Sequence, residues 1–185
     1  MTNYDSAENM RYMGFGCTPE EFGDRSMRFE GNDELTPFYA STRMVADALH
    51  FSLDAVRFES ELGLATERIE VATGVIEPGT AAVVRMRYTG ESGGRDVLVN
   101  EWVWRTTDEV NPEWGVGEYW EMTIDGDPSM KCRLEATTES DSKRIVSLVV
   151  ATNVVNSIAV VCEASSGVKS ALDLPPAGGG MVPQP

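Results

Sequence analysis

The run AAVVRMRYTGESGGRDVLVNEWVWRT, Ala81 to Thr106, decides the fold. Ala81 to Thr89 and Asp96 to Thr106 are long alternating segments, and a period of two sends successive side chains to opposite faces of a strand. Between them lies GESGGR, Gly90 to Arg95, whose glycines suit a hairpin loop. Upstream, Val56, Phe58, Ser60, Leu62 and Leu64 alternate with Arg57, Glu59 and Glu61, a half-exposed strand. A short strand is predicted near Ile69 to Ile76, followed by the turn Glu77-Pro78-Gly79. Downstream, Asn111 and Pro112 break the sheet pattern. A second hairpin then joins Glu118–Asp125 to Ser129–Thr138 through Gly126–Pro128.

Helices bracket these strands. Asp5 or Ser6 can cap a helix running through Met13, with Gly14 at its end; Thr18, Pro19 and Glu21 form a capping-box pattern for another, after the tight connection Met13 to Gly16. From Glu34 to Leu49, the residues Leu35, Phe38, Thr42, Val45 and Leu49 recur at intervals of three and four, which predicts one buried stripe. From Lys143 to Glu163, Ile145, Leu148, Val149, Thr152, Val155 and Ala159 follow the same spacing, while Val154, Ile158, Val161 and Cys162 make the other sides apolar as well. A helix apolar all round is expected to be buried, in a core or between subunits. Asn153 and Asn156 interrupt it, and a buried amide needs a partner, since leaving it unpaired costs about 1–3 kcal/mol. The pair marks either an internal polar bridge or a site meeting a ligand.

The expected class is α+β, with an antiparallel or mixed sheet built from hairpins and packed by N-terminal helices and a long apolar C-terminal helix. Residues 1–176 read as one domain, 1–33 being a helical entry segment, and 177–185 as a loose Gly/Pro tail.

With 185 residues, 42% hydrophobic and 24% charged, the chain can build one substantial core. A formal charge of −15, spread along the chain, repels phosphate backbones and anionic lipid. Nucleic acid and membrane are therefore set aside as partners. No apolar run of membrane-spanning length and no signal-peptide pattern is visible, so the expected location is cytoplasmic. Cys17, Cys132 and Cys162 are an odd number without CxxC spacing and read as free thiols.

His50 is the only histidine, so a histidine-rich metal site is impossible within one chain, and histidine-based triads would have to pass through it. Its place at a helix end suits packing or capping. No GxGxxG or GxxxxGK[ST] occurs, so the chain alone cannot hold a dinucleotide in the usual way. Trp102 and Trp104 share one strand face, Trp120 lies on another strand, and Trp114 and Tyr119 occupy the connection. Such rings are either core or the wall of a pocket or interface. Tyr4 and Tyr12 either reach a neighbouring site or pack on the surface.

NYDSAENMRYMGFG, STRMVADALHFSLDAVRFESELGLATERIEV, the Gly79-Thr80 hairpin, EWVWR, IDGDPSMKCRL and ATNVVNSIAVVCEASSGVKSALDLP occur in that order. Together they resemble the C-terminal half of the 2,4-diaminopentanoate dehydrogenase and native amine dehydrogenase family, often labelled dihydrodipicolinate-reductase-like. The histidine-rich segment of true dihydrodipicolinate reductases has no match here. The resemblance implies an α+β domain that helps enclose the substrate and mediates subunit association, beside an N-terminal Rossmann domain that binds NAD or NADP for ketone–amine hydride transfer. Met1 falls about where that Rossmann domain would give way, so this sequence is expected to lack it. What the resemblance then implies is a substrate-binding and oligomerisation domain that binds no cofactor alone and needs a separate Rossmann chain. Homodimers or larger homo-oligomers and a small-molecule ligand are the other implied partners. With buried polarity, the resemblance selects Tyr4, Tyr12, Trp102, Trp104, Asn153 and Asn156 as candidate substrate-binding residues; no catalytic or metal-binding residue is assigned. A freestanding binding protein, a cofactor-independent enzyme reusing the cavity and a purely structural dimer stay open.

Overall fold

The structure, a computed structural model, describes residues 7–26, 36–71, 73–114, 119–135 and 145–176. It mixes α-helices with antiparallel sheets. The chain forms two compact units, Met1–Glu118 and Tyr119–Pro185.

In the first unit the elements run α1 (Ala7–Met13), α2 (Pro19–Ser26), α3 (Tyr39–Ala48), β1 (Ala55–Ala65), β2 (Ile69–Val71), β3 (Gly74–Ile76), β4 (Ala81–Ser92), β5 (Arg95–Arg105) and β6 (Val110–Asn111). The main sheet has the order β5-β4-β1-β6, antiparallel throughout. The central hairpin follows the alternation, but its loop shrinks to two residues. Gly93 and Gly94 both take positive φ, 57° and 72°, the geometry that lets a two-residue turn follow the twist of its strands. β2 and β3 correct the single strand expected over Ile69 to Ile76: they pair as a separate hairpin. β6 is a second correction, because Val110 and Asn111 pair with Ala65 and Leu64 where Asn111 was expected to end the sheet pattern.

Helix capping follows the residues. The Thr18 N–H donates to Glu21 Oε2 at 2.8 Å, and the Glu21 N–H donates to Thr18 Oγ1 at 3.2 Å, the reciprocal pair of a capping box. Asp5 and Ser6 lie outside the described residues, as do Glu34 and Leu35. α3 starts at Tyr39, later than the periodicity suggests; Pro37 disfavours helical backbone at Thr36, and the helix opens beyond it. Its buried residues are Thr42 and Ala46, whereas Val45 and Leu49 are 39% and 56% exposed. The stripe thus advances by four, through Phe38, Thr42 and Ala46.

The register sorts the sheet into two faces. On one, Phe58, Tyr88 and Asn100 form a row, followed by Ser60, Met86 and Trp102, then Leu62, Val84 and Trp104. Here α3 packs: the Phe38 N–H donates to the Tyr88 hydroxyl at 3.3 Å, and Asn100 Nδ2 donates to Thr42 Oγ1 at 3.0 Å. Thr42 in turn donates to the Phe38 carbonyl at 2.9 Å, so its buried hydroxyl is used both ways. On the other face Arg85 pairs with Glu61 and Glu101, Arg87 with Glu101, Arg57 with Glu91 and Asp96, and Arg105 with Asp108. Among these charges Trp114 lies on Gly63, with the Arg85 guanidinium 5.3 Å from its ring.

The second unit holds β7 (Trp120–Ile124), β8 (Met130–Leu134) and α4 (Ile145–Glu163). β7 and β8 pair as the expected second hairpin, over shorter spans. α4 corrects the sequence reading: its apolar residues are exposed, Leu148 by 58%, Val154 by 63% and Ile158 by 57%. Apolar residues surround this helix, so no single covering layer could bury all of them. Lys143 and the tail 177–185 lie outside the described residues. After α4, Asp173 closes a turn: its carboxylate accepts from the Ser170 N–H and hydroxyl, both at 2.7 Å. The backbone bond, the hydroxyl bond and the nearby Lys169 charge together hold Asp173 below its ordinary value, against a smaller opposing effect of burial.

Two outcomes follow from these local contacts. A Cβ at position 63 would stand 2.8 Å from Trp114 Nε1 and 2.9 Å from Val83 Cβ, so Gly63→Ala should cost about 1–3 kcal/mol in urea denaturation and change Trp114 fluorescence. The Asp173 pKa is depressed, so its turn is fully stabilised above the unfolded pKa and loses that support as pH falls through the folded one. Carboxyl NMR titration should show the lowered midpoint, and Ser170→Ala should raise it partway.

Candidate functional site

Three rings, those of Phe38, Trp102 and Trp104, stack on one face of the main sheet. Phe38 stacks on Trp102 at 4.3 Å with 10° between planes, and Trp102 lies parallel to Trp104 at 6.1 Å. Strand alternation puts both tryptophans on the face that α3 covers, and the start of α3 supplies the third ring. Tyr88 meets Phe38 edge-on at 6.2 Å and Phe58 at 5.0 Å. The side chains are partly buried, yet Nε1 of both Trp102 and Trp104 is buried without a hydrogen-bond partner among the described residues. Trp114 Nε1, on the opposite face, has the same status. An indole N–H is a donor only, with no acceptor function of its own.

A second feature lies where α3 hands over to β1. Arg43, Ala46, Asp47, Phe51, Ser52 and Leu53 line a half-open pocket of about 240 Å³. Arg43 donates to the Tyr39 hydroxyl at 3.1 Å, one helical turn away. A guanidinium, a carboxylate and a hydroxyl around so small a space suit a compact polar molecule. Sequence reading passed over Arg43 and Asp47 because no spacing sets them apart from an ordinary polar helix face; Phe38 was visible only as part of the helical stripe.

Of the six residues selected from the sequence, the structure brings Trp102 and Trp104 together. Tyr12 is on α1 and 65% exposed, and Tyr4 lies outside the described residues. Asn153 and Asn156 are on α4 in the second unit. Asn153 is exposed and Asn156 partly buried, which corrects the expectation of two buried amides and removes the desolvation cost that singled them out. The Asn153 carbonyl accepts from Ser157 Oγ at 2.8 Å, a bond within the helix. Among the described residues no group of His, Cys, Asp and Glu could hold a metal ion, and no helix is long and apolar enough to cross a membrane.

Antiparallel sheets joined by hairpins and accompanied by helices make the class α+β, and a family model makes it the C-terminal domain of a dehydrogenase. The match is a specific one. The chain belongs to the 2,4-diaminopentanoate dehydrogenase C-terminal domain family, whose model matches residues 3–182. In fold it is similar to the solved amine dehydrogenase from Mycobacterium smegmatis, with a TM-score of 0.61 and 18% identity, over 95% of this chain and 49% of that one. The chain thus spans about half the length of that enzyme. No curated protein sequence matches it.

Trp102 stands in the middle of the stack, so Trp102→Ala should cost about 3 kcal/mol in urea denaturation. Trp102→Phe keeps a ring and removes the unpartnered donor; its cost should be about 1 kcal/mol or less.

Proposed function

We propose that this chain is a substrate-binding and oligomerisation domain of the amine-dehydrogenase type, acting in ketone–amine hydride transfer only with a separate Rossmann domain. The observation that carries the reading is the stacked Trp102–Trp104 wall on one face of the sheet. Such a wall offers contact area to a small, mostly apolar substrate. Trp102 or Trp104 supplies the apolar wall, and Tyr4 and Tyr12 are the candidate phenols for substrate contact. In the second unit, Asn153 and Asn156 are the candidates for orienting a polar substrate group or the nicotinamide carboxamide. NAD or NADP, held by the Rossmann partner, supplies or accepts the hydride. The family membership and the half-length likeness to an amine dehydrogenase support the same reading.

The domain works in the cytoplasm as a homodimer or larger homo-oligomer, and its charge of −15 disfavours nucleic acid and anionic lipid as partners. A second reading is favoured by the pocket at Arg43, Asp47 and Ser52, which would suit a freestanding small-molecule-binding protein or a cofactor-independent enzyme.

The purified chain should bind neither NADH nor NADPH in fluorescence titration and should not aminate ketones. Adding a family Rossmann domain should restore turnover, and Asn153→Leu should then raise KM without lowering Tm. Ketone amination by the 185-residue chain alone would overturn the proposal.

A further inference from the structure

The pocket at the end of α3 is shaped by the way the helix stops. The Phe51 N–H donates to the Ala46 carbonyl at 2.9 Å and the His50 N–H to the Asp47 carbonyl at 3.1 Å, while His50 takes a φ of 60°, a conformation usually left to glycine. This is the Schellman pattern, which turns the chain back over the last helical turn. Ala46 and Phe51, joined by one of those bonds, both line the pocket, so main-chain geometry fixes its apolar part. Its charged part is unusual. Arg43 and Asp47 stand four residues apart on α3, the spacing at which opposite charges on a helix can pair, yet among the described residues neither is in an ion pair. Arg43 turns instead to Tyr39, donating to its hydroxyl at 3.1 Å with the guanidinium carbon 5.8 Å from the ring centre. A guanidinium has five N–H donors, so this one bond leaves most of them open.

We propose that this pocket binds a zwitterionic amino acid with a small apolar side chain, its carboxylate on Arg43, its ammonium on Asp47 and its side chain against Phe51 and Leu53. The inference rests on the reading of this pocket as a small-molecule site, not on the redox reading. A simple anion would be opposed by Asp47 and by the chain's charge of −15, and a simple cation would be opposed by Arg43. A ligand carrying both charges satisfies each and has no net charge for the chain to repel. The volume of about 240 Å³ agrees, being room for about eight waters at roughly 30 Å³ each, and thus for a ligand of about as many heavy atoms. The site is also separate from the aromatic wall. Leu53 lies against Gly90, which pairs with Leu98, whereas Trp102 is four residues farther along β5, about 13 Å at the rise of a strand.

Isothermal titration calorimetry of the full chain, without cofactor or Rossmann domain, compares L-valine with isovalerate, which lacks its ammonium, and isobutylamine, which lacks its carboxylate. L-Valine should bind at least tenfold more tightly than either. Arg43→Gln and Asp47→Asn should each weaken L-valine at least tenfold. Asp47→Asn should at the same time tighten isovalerate, a gain that a damaged fold could not give. Circular dichroism checks that both variants fold; if one does not, the three-ligand comparison on the unaltered chain decides. Isovalerate binding as tightly as L-valine overturns the charge-pair recognition but leaves a small-molecule pocket standing. Binding of none of the three overturns both. Loss of L-valine affinity in Trp102→Phe would put the ligand on the aromatic wall and also overturn the proposal.

Discussion

The first unit depends on one buried hydroxyl. Tyr88 sits on the central strand β4, fully buried, and its oxygen accepts the N–H of Phe38 just before α3 begins. This bond ties the helix entry to the middle of the sheet, and the same Phe38 then stacks on Trp102. Tyr88 also contacts Phe58 on the neighbouring strand, so one side chain couples α3, β1, β4 and, through Phe38, β5. A buried phenol is tolerable there because its polar atom is satisfied while its ring fills the core.

Antiparallel pairing was legible because alternation is local: Phe58, Tyr88 and Trp102 declare their face by parity alone. The capping box at Thr18 and Glu21 was legible for the same reason, since all its atoms lie within one turn. Burial of α4 was not, because an apolar sequence states a preference and the available cover decides the outcome. The pairing of Trp102 with Trp104 could be anticipated from their spacing of two. The arrival of Phe38 above them could not, since a contact across 64 residues leaves no mark in local pattern.

The family match places the chain as a dehydrogenase C-terminal domain, and the fold is similar to that of an amine dehydrogenase. Its sheets offer rings, paired charges and apolar faces. Binding a dinucleotide by the usual route requires a glycine-rich turn entering a helix, and the sequence has no such motif. The three buried indole donors, of Trp102, Trp104 and Trp114, and the pocket near Arg43 are the chemically distinctive features described in the first unit.

β5 closes one side of the main sheet, and an outermost strand of 11 residues leaves a row of main-chain amides and carbonyls open to another chain. Val97, Val99 and Val103 would favour such templated growth. Arg95 and Asp96 at one end, Glu101 inside and Arg105 at the other act as gatekeepers, because stacking copies in register would place like charges on top of one another. The arginine–carboxylate lattice on that face therefore also guards the protein against becoming a fibril seed.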